Sequence, residues 1–223
     1  NIEYRDCFAH MTGVGGLGLW STGFYAYRVT DRAAGVHYYN CKSTYAGQAP
    51  TMGHGFSATS ANNVHWHECD AGWTNIDPQT GLANAYPGEG IGFAFDDFTH
   101  DSTITNCSSH NNVGAGIVAA HQGSNNTVTY NKITNNGSYG LVINGSPAGA
   151  NNINVSNNTI TKNTSHGIQG WSPTNGLVIS TNRIANNGGY GIAFSASGMV
   201  GYSVVNNSIS GNTLGATLNV VLG

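Results

Sequence analysis

Asp96-Asp97 is the only adjacent pair of aspartates in the chain. Two carboxylates side by side are the equipment of glycosidic-bond chemistry, which needs an acid and a base or nucleophile flanking one bond. Glu89, a short distance upstream, offers a third carboxylate. His54 and His121 are the imidazoles to tune or relay protons, since histidine titrates near neutrality. Asp96, Asp97, Glu89, His54 and His121 are therefore the candidate catalytic residues. The plainer reading of the pair is an aspartate turn bonding backbone amides. No dedicated cofactor is expected. Asp96, Asp97 and Asp101 form the one oxygen set that suggests calcium. His65 and His67 in "HWHEC" share one face of a strand, but neither they nor the cysteines follow a zinc pattern.

These residues need a scaffold, and the chain repeats. Ile133, Ile160, Ile184 and Ile209 recur about 25 residues apart, a solenoid period. Two residues before each stands Asn131, Asn158, Asn182 or Asn207. Five before stands Val128, Val155, Ile179 or Val204, and three after stands Asn136, Asn163, Asn187 or Asn212. Gly140, Gly167 and Gly191 then precede an apolar residue. Reading backwards, Cys107, Cys69, Cys41 and Cys7 take the isoleucine slot, as small buried apolar residues. Three short apolar stretches per copy, with no helical periodicity, predict a single all-β domain over 1–223. The expected fold is a right-handed parallel β-helix of about eight coils. Stacking explains what is repeated: like side chains sit over like, and asparagine accepts the left-handed turn and bonds to its copy one coil away.

Function in a solenoid concentrates where coils are stretched. Inserted loops are expected near 44–54 and 70–90, the second carrying Trp73 and Glu89. After each stretched turn a strand follows, with inward pairs Leu19/Ser21, Phe56/Ala58, Phe93/Phe95, Ile117/Ala119, Leu141/Ile143, Ile168/Gly170 and Ile192/Phe194. Asp97 and His121 then fall in one column on neighbouring coils. A second column reads His54, Ile91, Ala115, Tyr139, His166 and Tyr190. Outward mid-strand positions are small or polar: Ser57, Ala94, Val118, Val142, Gln169 and Ala193. Small residues between taller flanks describe a groove. Tyr139, His166, Gln169, Trp171, Tyr190 and Trp73 are the candidate sugar contacts, aromatic faces for apolar sugar faces and amides for hydroxyls.

Composition narrows the class. Only 8% of residues are charged, against about 25% in an average globular chain. A surface solvated by hydroxyls and amides points to a secreted or cell-surface protein. With a net charge of −3, the chain shows no basic footprint for nucleic acid. No stretch is long and apolar enough for a membrane span. The seven cations are Arg5, Arg28, Arg32, Lys42, Lys132, Lys162 and Arg183. None falls in the groove columns, which favours a neutral or fructan-type glycan over a polyuronate. Because the chain opens within a repeat, it reads as a mature product or a fragment.

The repeat resembles the pectate-lyase-like superfamily of right-handed β-helices over nearly its whole length. That resemblance implies a carbohydrate-active protein, among lyases, hydrolases, epimerases, fructotransferases and non-catalytic spikes. Gly53-His54-Gly55 and Asp96-Asp97 are similar to two motifs of the polygalacturonase family, in reversed order and without its Asn-Thr-Asp and Arg-x-Lys motifs. "FDDFTHDSTITNCSSHNNVGAGI" is similar in layout to bacterial alginate C5-epimerases, with Ala115 where those carry an aspartate. The leading expectation is an enzyme that binds a polysaccharide in the groove and cleaves or transfers a glycosidic bond with carboxylates. The alternatives are a polyuronate lyase or C5-epimerase, and a non-catalytic glycan-binding, adhesin or homotrimeric spike module.

Overall fold

Segments such as Thr127–Thr129, Lys132–Thr134 and Leu141–Asn144 are too short to be stable alone. They persist because each pairs with its copy one repeat away. The computed structural model describes residues 2–11, 20–29, 35–47, 52–83, 90–145, 149–171, 174–195 and 199–220. Three parallel sheets of eight strands run through it. The first extends from Ile2–Arg5 to Ser203–Val205, the second from Phe8–His10 to Ser208–Ser210, and the third from Trp20–Tyr27 to Gly215–Leu218. Each strand pairs with the strand of the same sheet one coil on, so the chain is a parallel β-helix of eight coils.

The core is a set of stacks. Val128, Val155, Ile179 and Val204 are register partners in turn, as are Ile133, Ile160, Ile184 and Ile209. In the earlier coils the stacks are aromatic. Phe56 lies between Phe24 and Phe93 at centroid distances of 4.7 and 4.8 Å, and Trp66 stacks on Phe95 at 4.9 Å.

The Asn-Asn dipeptides divide two tasks. The first Asn takes the left-handed turn: Asn135, Asn157, Asn186 and Asn206 have φ of 56–57°. The second points inward and builds a ladder. Asn131 Nδ2 donates to Asn158 Oδ1 at 3.0 Å, and Asn158 Nδ2 to Asn182 Oδ1 at 3.0 Å. A parallel ladder joins Asn112, Asn136, Asn163, Asn187 and Asn212. At Gly140 the chain enters the third sheet so tightly that a Cβ would sit 2.5 Å from Ile160 Cγ2 and 2.6 Å from Gly167 O.

Four details depart from the sequence reading. Ser108 pairs with Lys132, which places Cys107 over Asn131 rather than over Ile133. Asn131 Oδ1 accepts from the Cys107 amide at 2.8 Å, as Asn158 Oδ1 accepts from the Asn131 amide at 2.9 Å. The cysteines thus fill the slot of the buried asparagine. The thiols of Cys69 and Cys107 lie 3.4 and 3.3 Å from the carbonyls two residues back, where Asn207 makes its own bond to Val205. A thiol is small and weakly polar, which suits that slot and disguised it as an apolar one. All four thiols are free; Cys41, Cys69 and Cys107 are buried, and Cys7 is partly exposed instead of buried.

In the first coil Phe24 and Ala26 are the inward pair opposite Phe56 and Ala58, the place the sequence reading gave to Leu19 and Ser21. Stacking of Phe24 on Phe56 fixes that register; Leu19 lies outside the described residues. The strand Ile117–His121 carries a bulge. Val118 still pairs with Val142, but Ala120, not Ala119, pairs with Ile143, and His121 with Asn144. Last, with Cys69 read into the isoleucine slot, His67 two residues before it would take the asparagine slot, and it does not. It lies with His65 on the outer side of the first sheet, where Val64 and Trp66 take the inner positions.

Candidate functional site

The third sheet's outer face carries the site. Its strands alternate, so the side chains not stacked in the core point outward. Ala94, Ala115, Val118 and Val142 pack into an apolar floor flanked by Ile91 and Tyr139. The groove above encloses about 940 Å³. Its walls include Tyr25, His54, Asp96, Asp97, His121 and Trp171.

Two Asp–His pairs meet in this groove. Asp97 follows the strand Ile91–Asp96, and His121 ends the strand Ile117–His121. The bulge does not separate them: His121 Nδ1 lies 2.9 Å from Asp97 Oδ1. Asp96 turns the other way, toward the preceding coil. His54 Nδ1 stands 3.4 Å from Asp96 Oδ2, and Ser57 Oγ donates to the same oxygen at 3.0 Å. His54 is buried, whereas the Asp96 side chain keeps 24% of its surface exposed. Burial pushes the Asp96 carboxyl up. The hydrogen bond and charge of His54, the Ser57 hydroxyl and the more distant His121 outweigh it, so the carboxyl lies below its ordinary range. Asp96 is therefore held ionised, which suits a base, nucleophile or charge stabiliser rather than a proton donor.

The other sequence candidates fall in three places. Tyr139 and Trp171 line the groove and meet edge to face at 5.2 Å. His166 and Tyr190 continue the row beyond Tyr139, with ring separations of 5.8 and 5.7 Å. His166 Nδ1 accepts from the Tyr190 amide, and burial lowers the proton affinity of this imidazole. Gln169 is buried and spends its amide on the Gly170 carbonyl at 2.8 Å. It is not among the residues lining the groove; its side-chain amide donates to the neighbouring backbone carbonyl. Trp73 lies off the groove, on the turn after the second sheet, stacked with Tyr45 and edge-on to His110. Glu89 lies outside the described residues. Asp101 does not join the aspartate pair. It accepts from Asn125 at 2.8 Å on an exposed turn, so the three-aspartate calcium set is not assembled. Among the described residues no group of three His, Cys, Asp or Glu is placed to hold a metal ion.

The sequence reading placed Ser57 on the groove floor but missed Tyr25, Thr22, Ser138 and Asn144 as groove residues; all five line it. Tyr25 was hidden by the misplaced first-coil register. It is 52% exposed and stacks on Tyr27 at 5.7 Å. The alternation of Phe24 and Ala26 with Tyr25 and Tyr27 was the available signal.

The family model described as right handed beta helix region matches residues 11–177, and the chain belongs to that family. No curated protein matches it. Among solved structures it is similar to the A-module of the Azotobacter vinelandii mannuronan C-5 epimerase AlgE4. Identity is 17% and the TM-score 0.72, over 100% of this chain and 56% of that one. The periplasmic alginate epimerase AlgG shares 14% identity at a TM-score of 0.58, over 97% of this chain and 58% of that one. The Agl-KA catalytic domain shares 18% at 0.52, over 98% of this chain and 42% of that one. The chain thus spans about half the length of the structures it resembles, and the likeness is one of fold.

Proposed function

We propose that this member of the right-handed β-helix family is a polysaccharide-processing enzyme that cleaves or transfers a glycosidic bond in the third-sheet groove. The observation that carries the reading is the pair of Asp–His contacts on neighbouring coils, opening into one groove with an apolar floor and aromatic walls. The expected carboxylate pair divides into unlike partners. Asp96 is the ionised group that takes a proton from water or another hydroxyl, or meets the anomeric carbon. His121, oriented through Nδ1 by Asp97, is the group that gives the proton to the leaving oxygen. Tyr139, Trp171 and Tyr25 offer ring faces to the sugar, and Asn144 and Ser138 its hydroxyl partners. Among the described residues no Lys or Arg lines the groove, so a neutral glycan is the favoured substrate class. Work outside the cytoplasm follows from the substrate.

A second reading has its own support. His121 is held through Nδ1, which leaves Nε2 as a base for a carbon-bound proton beside a uronate carboxylate. Elimination or C5-epimerisation would use that base, and two of the solved structures above are epimerases. A polysaccharide panel with three readouts separates these cases. New reducing ends without unsaturated-uronate absorbance, lost in Asp96→Asn, support cleavage. Absorbance, or solvent deuterium entering the sugar without cleavage, moves the assignment to the second reading. Glycan binding without any turnover, or a compact trimer that binds none, returns the chain to the non-catalytic class.

A further inference from the structure

Ser57 departs from its column. The outward mid-strand positions of the third sheet read Ser57, Ala94, Val118, Val142, Gln169 and Ala193 in successive coils. Four of these are aliphatic and Gln169 turns its amide onto its own backbone. Ser57 alone in this row sends a polar atom to another side chain across the floor. It is 2% exposed, so a hydroxyl there is destabilising relative to alanine unless it has a protein partner. Its partner is Asp96 Oδ2 at 3.0 Å, one coil away. Register explains the reach. Ser57 pairs with Ala94 and Thr59 with Asp96. Because Ala94 is small, the Asp96 side chain can lean back over it.

We infer that Ser57 is a positioning residue: with His54 it fixes Oδ2 of Asp96 against the floor, so that Oδ1 is the oxygen presented to the substrate. Both contacts go to Oδ2, one from the same strand's His54 and one from Ser57. A carboxylate bonded through one oxygen cannot swap its two oxygens by rotation without breaking both contacts. The groups facing Asp96 are His54 and Ser57 from the strand Met52–Thr59, Asp97 from the following turn, and His121 from the strand Ile117–His121. Tyr25 and Tyr139 face the same groove. Ser57 is the one uncharged member of the clamp, so its removal changes the Asp96 environment without adding or removing a titrating group.

The inference rests on the proposed cleavage reaction, and its test has a readout that does not. In Ser57→Ala the carboxyl titration of Asp96, followed by carbon NMR, moves to higher pH, while Ser57→Thr returns it toward the wild-type position. On the glycan identified by the panel, Ser57→Ala lowers kcat about tenfold, the worth of one charge-assisted hydrogen bond, with KM unchanged, and its acid limb moves with the NMR midpoint. Ser57→Thr recovers kcat. An Asp96 titration unmoved in a folded Ser57→Ala protein overturns the clamp. A moved titration with kcat and its pH profile intact overturns the positioning role. Wild-type protein that turns over no glycan defeats the proposed function, and the NMR titration still decides the clamp.

Discussion

The first four coils and the last four solve the same stacking problem with different residues. In the later coils, aliphatic columns and asparagine ladders repeat with little variation, and each ladder Asn serves the coil before it. In the earlier coils, cysteines stand in the asparagine slot, rings replace isoleucine and valine in the core, and the turns are stretched. Both Asp–His pairs belong to the earlier half. Regularity costs freedom: a column that must stack on itself cannot also vary to build a site. The larger, less repetitive packing of the earlier coils tolerates the bulge beside the groove.

Substitutions can break this contrast, starting with the largest effect. Asp96→Asn should lower kcat about a thousandfold, within the range of lost acid–base catalysis, with the melting temperature nearly unchanged. In the other half, Asn163→Ala should show the reverse. It removes the acceptor of the Asn136 amide and of one Asn136 side-chain hydrogen, and the side-chain donor to the Ile133 carbonyl. Denaturant unfolding should report a loss of about 3 kcal/mol. An Asn163→Ala protein as stable as wild type would mean that the ladders do not hold the later coils together.

The outer side of the first sheet supplies a smaller, pH-dependent difference. Burial, then the neighbouring His37, lowers His65 from 6.5 to about 4. The unfolded chain therefore binds this proton at higher pH than the folded one. Stability is fully present above 6.5, falls as pH drops from 6.5 toward 4, and changes no further below. Partial exposure discounts the effect to about 2 kcal/mol. Unfolding free energies measured across that range should slope in the wild type and flatten in His65→Gln. An equal slope in both would remove His65 as the cause.

The smallest effect tests whether the two halves are interchangeable. Cys107→Asn puts the later coils' residue into the earlier slot, and should change stability by less than about 1 kcal/mol. Cys107→Leu, which treats the slot as the apolar one the sequence suggested, should destabilise the protein by about 1–3 kcal/mol through overpacking. Calorimetry on the pair decides it; equal melting temperatures would erase the distinction between the slots.

Much of the fold was legible because a solenoid writes its contacts into its period. Val128, Asn131, Ile133 and Asn136 recur at fixed offsets, and identical residues one period apart must stack. Asp97 and His121 could be brought together on the same logic. The rest depended on forces that carry no period. The first-coil register was set by Phe24 stacking on Phe56, which exposed Tyr25 to the groove. The bulge after Val118 gave the chain an extra residue that no count of offsets could locate. Gln169 looked outward by alternation, yet folded onto Gly170. Trp73 looked like a groove residue by proximity in sequence, yet its turn carried it to Tyr45 and His110. By itself the sequence determined which residues stack in the regular later coils, because stacking there is periodic. Only the tertiary structure decided which side chains share the groove and which oxygen of Asp96 is held, because those depend on register, bulge and rotamer, where one residue's shift changes the partner.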